Sequence, residues 1–252
     1  MLALIDIGNS SIALSISLTG DKIDKVYRIN TEKSKSSDEY ALILNELFES
    51  VDKAVISSVV PELNDVFKDY FFRRFGIIPI FLGMGVKTGI KINSDNPKEV
   101  GGDLIANAVA ATELYNPTCL IIDLGTATTF TYVENCNLKG VIIAPGLTTS
   151  RNALITKTSL LPQVELEAPT KLLGTTSSDC IKSGLIYGHA SMIDGMILRI
   201  KNKVNNPNLL VVITGGHAKL IYPHCLEKMI IDELLILKGL LLVEKRNSVK
   251  KN

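Results

Sequence analysis

Short apolar runs separated by polar, glycine-bearing turns run along the chain and set the first structural expectations. The run LALIDI at 2–7 predicts a strand, followed by a tight turn and further strands near 12–18 and 23–28. The polar stretch NTEKSKSSD at 30–38 predicts a loop. A helical pattern covers 39–50, an apolar strand 53–57, an amphipathic segment 62–75 and another strand 77–82. LIANAVAATELY at 104–115 is rich in helix formers and follows Asp103, a residue type suited to an N-cap. Strands resume at 118–123, 128–133 and 138–143, and a helix opens after Pro145. Residues 178–204 predict a long helix, 209–214 a strand and 226–245 a final amphipathic helix. Strands clustered as hairpins and then alternating with helices predict α/β layers, not a sandwich or a bundle.

The pattern also repeats. LALIDIGNSSI at 2–12 and CLIIDLGTATT at 119–129 align without gaps, so that Asp6 falls on Asp123, Gly8 on Gly125 and Asn9 on Thr126. A weaker pair joins AVISSVVPEL at 54–63 to VVITGGHAKL at 211–220, both apolar strands that end in small residues before a helix. Two copies of one unit predict two similar domains facing each other across a cleft. The boundary falls at Asn116-Pro117, where a helix should stop in any case, giving domains 1–116 and 117–252.

Small residues after an apolar strand let backbone N–H groups approach an anion closely. An Asn, Ser or Thr alongside adds a hydrogen bond to phosphate, and a carboxylate at the strand end holds a cation or its bound water. Asp-x-Gly-(Asn/Thr)-(Ser/Ala) therefore reads as a phosphate hairpin with a metal anchor. A single copy is better read as an Asx-turn closing a hairpin. Finding the carboxylate in the same place twice favours the phosphate reading.

Composition narrows the classes further. Of 252 residues 46% are hydrophobic and 21% charged, which suits a globular chain with a substantial core. The net charge of +1 gives no electrostatic footprint for nucleic acid. No apolar run approaches the ~18 residues of a membrane span, and MLALIDIGNS has no basic n-region, so neither membrane nor export is expected. The cysteines at 119, 136, 180 and 225 form no C-x-x-C pair, which points away from a disulfide framework or zinc knuckle and towards the reducing cytoplasm. The basic end EKRNSVKKN predicts a solvated, frayed tail. GMGVKTG at 83–89 misses both the dinucleotide and the P-loop spacing, and no G-x-S-x-G elbow exists. His189, His217 and His224 make no metal-binding pair on one helix face and are assigned to packing or solvation.

In order, DIGNS at 6–10, SSVVP at 57–61, NPKEVGGD at 96–103, DLGTATT at 123–129, APG at 144–146 and TGG at 214–216 resemble the type III pantothenate kinases of the acetate and sugar kinase/Hsp70/actin superfamily. The resemblance implies two ribonuclease-H-like, actin-like ATPase domains with ATP between them. It further implies phosphorylation of the pantothenate primary hydroxyl to 4'-phosphopantothenate, a homodimer, Mg-ATP, and a monovalent cation such as potassium or ammonium. By position, Asp6, Ile7, Gly8, Asn9, Ser10, Ser11, Ile12 and Ala13 resemble the first ATP-phosphate loop, with Asp6 reaching Mg through water. Asp123 matches the monovalent-cation ligand and Thr126 the second phosphate contact. Gly101, Gly102, Asp103 and Leu104 occupy the substrate-binding G-x-D-R segment, with Asp103 in the place of the catalytic base. Ser177 falls where the family has a substrate-contacting Thr, and Gly215 and Gly216 where adenine is expected to pack. A carboxylate at a helix start, exposed by two glycines, suits a base that takes a proton from an alcohol, while the N-cap role is not exclusive of it.

Two positions depart from the family pattern. Leu104 replaces the Arg of G-x-D-R, and Ser94 stands where the family has the Tyr of Y-x-N-P. A bidentate pair with a carboxylate contributes ~1.5–3 kcal/mol, so the missing guanidinium needs a substitute, for which Arg151 and Lys157 are candidates. Two alternatives therefore stand beside pantothenate kinase: a sibling kinase for another small alcohol, and a nucleotide-binding regulatory protein with weakened catalysis.

Overall fold

The computed structural model describes residues 1–83 and 85–248, and its chain divides into two compact units. The first comprises Met1–Tyr115, Cys136–Leu138 and the segment from Leu234 onward; the second comprises Asn116–Asn135 and Lys139–Glu233.

The first unit is built on strands β1 (Leu2–Ile7), β2 (Ser11–Ser17), β3 (Lys25–Asn30), β4 (Lys53–Ser58) and β5 (Ile80–Phe81), in the order β3-β2-β1-β4-β5. β1, β2 and β3 form an antiparallel meander, whereas β4 and β5 join in parallel. Alternation along β1 sends Ala3, Ile5 and Ile7 to one face and Leu2 and Leu4 to the other. Helices α1 (Ser37–Leu47) and α2 (Pro61–Phe75) cover the first face with Tyr40, Leu44, Phe67 and Phe71. Their ends are well specified. Ser36 and Glu39 form a capping box on α1, Pro61 opens α2, and Gly76 closes it at φ 69°. Helices α3 (Gly102–Leu114) and α7 (Leu235–Ser248) cover the second face with Ile105, Ala106, Val109, Leu237, Leu240 and Val243. A short strand β6 (Lys91–Ile92) pairs in parallel with Asn137 and Leu138.

The second unit repeats the topology. Strands β7 (Cys119–Leu124), β8 (Ala127–Glu134), β9 (Asn137–Pro145), β10 (Leu210–Thr214) and β11 (Ile230–Ile231) run in the order β9-β8-β7-β10-β11. Helix α5 (Ser177–Lys203) supplies Ile181, Leu185, Ile186, Ile193 and Ile197 to its core, beside Leu147 from α4 (Leu147–Lys157) and Ala218 from α6 (Ala218–Ile221). The α/β class and the duplication are thus both present.

The ungapped alignment of the repeats does not survive past the turn. In the first hairpin Ile7 pairs with Ile12 across a four-residue turn, while in the second Leu124 pairs with Thr128 across a three-residue turn. The second copy needs a one-residue gap after its glycine, and side chains beyond it exchange faces.

Other expectations change at their edges. The strand expected over 77–82 is reduced to Ile80–Phe81. The final helix begins at Leu235 rather than 226, because the N–H groups of Leu226 and Glu227 donate to the Asp194 carboxylate at 2.9 and 3.1 Å, and Ile230 and Ile231 pair with β10. Asp103 is not the N-cap of α3. Gly101 holds that place in extended conformation, and Asp103 lies in the first turn. Of the solvated tail expected over 244–252, residues Glu244 to Ser248 instead form the end of α7, with Glu244 buried and paired with Lys53, and 249–252 lie outside the described residues. All four cysteines are free, and among the described residues no helix is long and apolar enough to cross a membrane.

The sequence division places α7 with residues 117–252, but α7 packs in the first unit, with its backbone pressed on that of α3. A Cβ on Gly239 would overlap the carbonyl oxygen of Ala106, so only glycine allows this approach. Gly239→Ala should therefore destabilise the protein by about 1–3 kcal/mol in denaturant unfolding. Equal midpoints for variant and parent would show that the helices separate without cost.

Candidate functional site

In the first unit, two segments lie at the tips of β1 and β4. The β1–β2 turn is closed by the Gly8 N–H donating to Ser11 O at 3.1 Å. A Cβ on Gly8 would stand 2.9 Å from that same oxygen, which explains the glycine. Thr31, just after β3, clamps the turn through its hydroxyl to Gly8 O at 2.6 Å and its N–H to Ser10 O at 3.1 Å. Among the residues expected to hold ATP phosphates, Asn9 and Ser10 are exposed at the tip and Gly8 and Ser11 are half-buried. Ile7, Ile12 and Ala13 have side chains in the core, so they offer an anion no more than backbone. Asp6 is half-exposed at the end of β1.

The second segment is the start of α3. Gly102 lies against the end of β4, where a Cβ would stand 3.1 Å from Leu82 O and 3.4 Å from Ser57 Oγ. A Cβ on Gly101 would collide with the Asp103 carboxylate, which folds back over the helix start. That carboxylate accepts hydrogen bonds from the backbone N–H of Leu104 and from its own, so it does satisfy part of the helix end. Burial outweighs those bonds and raises its pKa above the ordinary carboxylate value. A desolvated carboxylate with raised proton affinity is suited to accept a proton from an alcohol. Leu104 is half-buried in the same turn. Ser94, in place of the Tyr, accepts a hydrogen bond from the Asn96 N–H at 3.4 Å and closes a local turn.

The second unit holds the second turn. Gly125 N–H donates to Ala127 O at 3.1 Å, and Thr126 stands exposed at the tip. Two neighbours grip this turn. From the start of α4, Gly146 N–H and Thr149 Oγ1 both donate to Thr126 O, at 3.1 and 2.7 Å. Gly146 must be glycine, because a Cβ there would overlap the carbonyl oxygens of Gly125 and Thr126. From the end of β10, Gly215 at φ 94° passes so close that a Cβ would strike the Asp123 carboxylate and the Leu124 backbone. Gly216 next to it is exposed, with open space where a Cβ would be. Asp123 is half-exposed, Ser177 is exposed in the first turn of α5, and Thr176 caps that helix by accepting from the Asp179 N–H at 3.2 Å.

Sequence reasoning missed His217. Its backbone N–H donates to Leu124 O at 3.3 Å and its Nε2 lies 3.3 Å from Thr148 Oγ1, so one residue ties the β7 end to the first turn of α4. His189, also assigned to packing, is buried with Nε2 at 2.9 Å from Thr128 Oγ1. The signal for His217 was its place directly after TGG. Arg151, proposed as a substitute cation, donates to Asn152 Oδ1 at 3.1 and 3.2 Å, and Lys157 is exposed in the last turn of α4.

No three His, Cys, Asp or Glu residues gather into a metal cage among the described residues. The donor set fits a Mg ion that arrives with phosphate oxygens and needs one carboxylate, as Asp6 offers, rather than a protein-only site.

Two sheets of one topology, each with an Asp-x-Gly turn at the tip of its first strand, define the actin-like ATPase fold. The activator of the 2-hydroxyisocaproyl-CoA dehydratase from Clostridium difficile, solved with bound ADPNP, shares this fold at TM-score 0.56 and 14% identity, over 98% of this chain and 97% of that one. The family model for type III pantothenate kinase matches residues 2–199. Type III pantothenate kinases of Geotalea daltonii and Acholeplasma laidlawii are 41% and 43% identical, each over 98% of this chain and 99% of theirs. The chain belongs to the type III pantothenate kinase family.

The histidines give a pH prediction. Burial holds both His189 and His217 below the ordinary histidine pKa of 6.5, with His217 adding to the effect at His189 and Arg151 to that at His217. The unfolded chain therefore binds more protons than the folded one in mildly acidic solution, and stability falls as pH drops below about 6.5. Unfolding free energies at pH 7.5 and 5.5 should differ less in His189→Gln than in the parent. An unchanged difference would exclude His189 as a source.

Proposed function

We propose that the protein transfers the γ-phosphoryl group of Mg-ATP to the primary hydroxyl of pantothenate, giving 4'-phosphopantothenate and ADP. The observation that carries this reading is the Asp103 carboxylate, held over the two glycines at the start of α3 and made more basic by burial. Asp103 hydrogen-bonds the hydroxyl and accepts its proton as the new O–P bond forms and the bond to ADP breaks. Backbone N–H groups of the 8–11 and 125–127 turns, with Asn9, Ser10 and the Thr126 hydroxyl, hold phosphate oxygens. Asp6 would hold, through water, a Mg ion that arrives with the nucleotide and would supply positive charge beside its phosphates. Asp123 holds a monovalent cation, potassium or ammonium, and Gly216, with open space where a Cβ would be, leaves room for a flat adenine to pack beside Gly215. Gly101, Gly102, Leu104 and Ser177 contact pantothenate.

The reading extends to a homodimer in the cytoplasm. Ile143 on β9, Leu154 on α4 and Leu172 and Leu173 before α5 are 69%, 40%, 62% and 82% exposed, apolar surface of the kind that subunit contacts bury. A second copy would cover it.

The direct test is ADP release by purified protein with ATP, Mg and potassium, on pantothenate, pantetheine and simple alcohols. Asp103→Asn should lower kcat by about 10²–10⁴. Its melting temperature should stay level or rise at neutral pH, because the raised pKa means that the folded state holds the charged form at a cost. A variant that melts earlier and keeps its rate would make Asp103 structural.

Leu104 favours a second reading, a kinase for a less anionic alcohol. If pantothenate is the substrate, Leu104→Arg should tighten its KM, by about tenfold or more for a charge-assisted pair, with little change in kcat. Activity of the parent on an uncharged alcohol, diminished by Leu104→Arg, would transfer the assignment to that sibling.

A further inference from the structure

Ser57, one residue before the end of β4, has a side chain that is 0% exposed and a hydroxyl with no hydrogen-bond partner. An unmet buried hydroxyl costs stability that alanine would avoid, so its presence asks for a reason. Its neighbours restrict the answer. In the parallel β1–β4 pair Ser57 stands opposite Asp6, and that register puts both side chains on one face of the sheet. On that face lie Gly102, which brings no side chain, and Leu82, which brings an apolar one. Of the side chains these contacts bring to that face, the Asp6 carboxylate is the one able to accept from a hydroxyl.

We infer that Ser57 is a positioning residue for Asp6. When nucleotide binds, the small side chain turns about χ1 and its hydroxyl donates to the Asp6 carboxylate, fixing the angle at which that carboxylate meets the hydration shell of Mg. The inference rests on the Mg-ATP reading above. A staggered rotamer change is cheap for serine, and a hydrogen bond to a carboxylate is stronger than one between neutral groups. Groups behind a metal-binding carboxylate commonly set its orientation in this way. Stability given up at rest is thereby recovered only in the nucleotide complex.

The test uses calorimetric binding of a non-hydrolysable ATP analogue to the full chain, with Mg and with EDTA, beside thermal melting. Ser57→Ala should melt at the same temperature or higher, bind the Mg complex about tenfold more weakly and bind the metal-free analogue unchanged. Ser57→Cys, nearly the same size with a weak donor, should behave likewise. In an Asp6→Asn background Ser57→Ala should add nothing, because the two act through one carboxylate. Bound Mn in place of Mg should show an altered electron-spin resonance spectrum in Ser57→Ala. Lower melting with unchanged Mg-analogue affinity would make the hydroxyl structural and overturn the inference. An equal loss in the Asp6→Asn background would overturn its route. A parent protein that binds the analogue neither with Mg nor without would remove the ATP reading itself, whereas tight parent binding with an indifferent Ser57→Ala removes only the role of Ser57.

Discussion

The contact between the start of α3 and the end of β4 is the constraint from which the candidate site follows. A helix approaches a strand this closely most easily where the helix carries no side chain, and Gly102 meets the condition, since a Cβ there would stand 3.1 Å from Leu82 O and 3.4 Å from Ser57 Oγ, tighter than side chains ordinarily pack. The same approach buries the first turn of α3, and that burial raises the proton affinity of Asp103. Packing and chemistry thus have a single cause here. The glycines of the second unit work differently: Gly146 and Gly215 do not bring a titratable group forward but let two segments close on the turn that carries Thr126.

Much of this was readable in the sequence. The α/β class, the duplication and the main strands followed from apolar runs, because a buried strand end before a small-residue turn is a local signal. The family followed from motifs that retain their spacing. What escaped notice depends on contacts between distant segments. The N–H groups of Leu226 and Glu227 are taken by Asp194, so a segment with helical periodicity stays out of α7. Asp103 looked like a cap by residue type, yet the cap position needed the extended backbone that Gly101 provides.

The side-chain roles were the least legible. His217 differs in no local way from a packing histidine, and its use appears only when Leu124 and Thr148 are both near it. The unequal turns were likewise hidden, since two glycine-centred sequences can match residue for residue and still pair differently across a hairpin. A duplicated sequence need not carry a duplicated register.

The packing of α7 has a consequence for how the protein is made. Leu2 and Leu4 of β1 share a core with Leu237, Leu240 and Val243, and Lys53 Nζ at the start of β4 donates to Glu244 Oε1 at 2.8 Å. β1 therefore precedes α7 by more than 200 residues, and the part of its face that α7 covers waits until those residues have been translated. At ~5–20 residues per second that interval lasts on the order of ten seconds or more, long beside the folding time of a small domain. During that interval the part of the first sheet left open beside α3 is accessible to chaperones or to other nascent chains, and the first unit is completed only after the second has been synthesised.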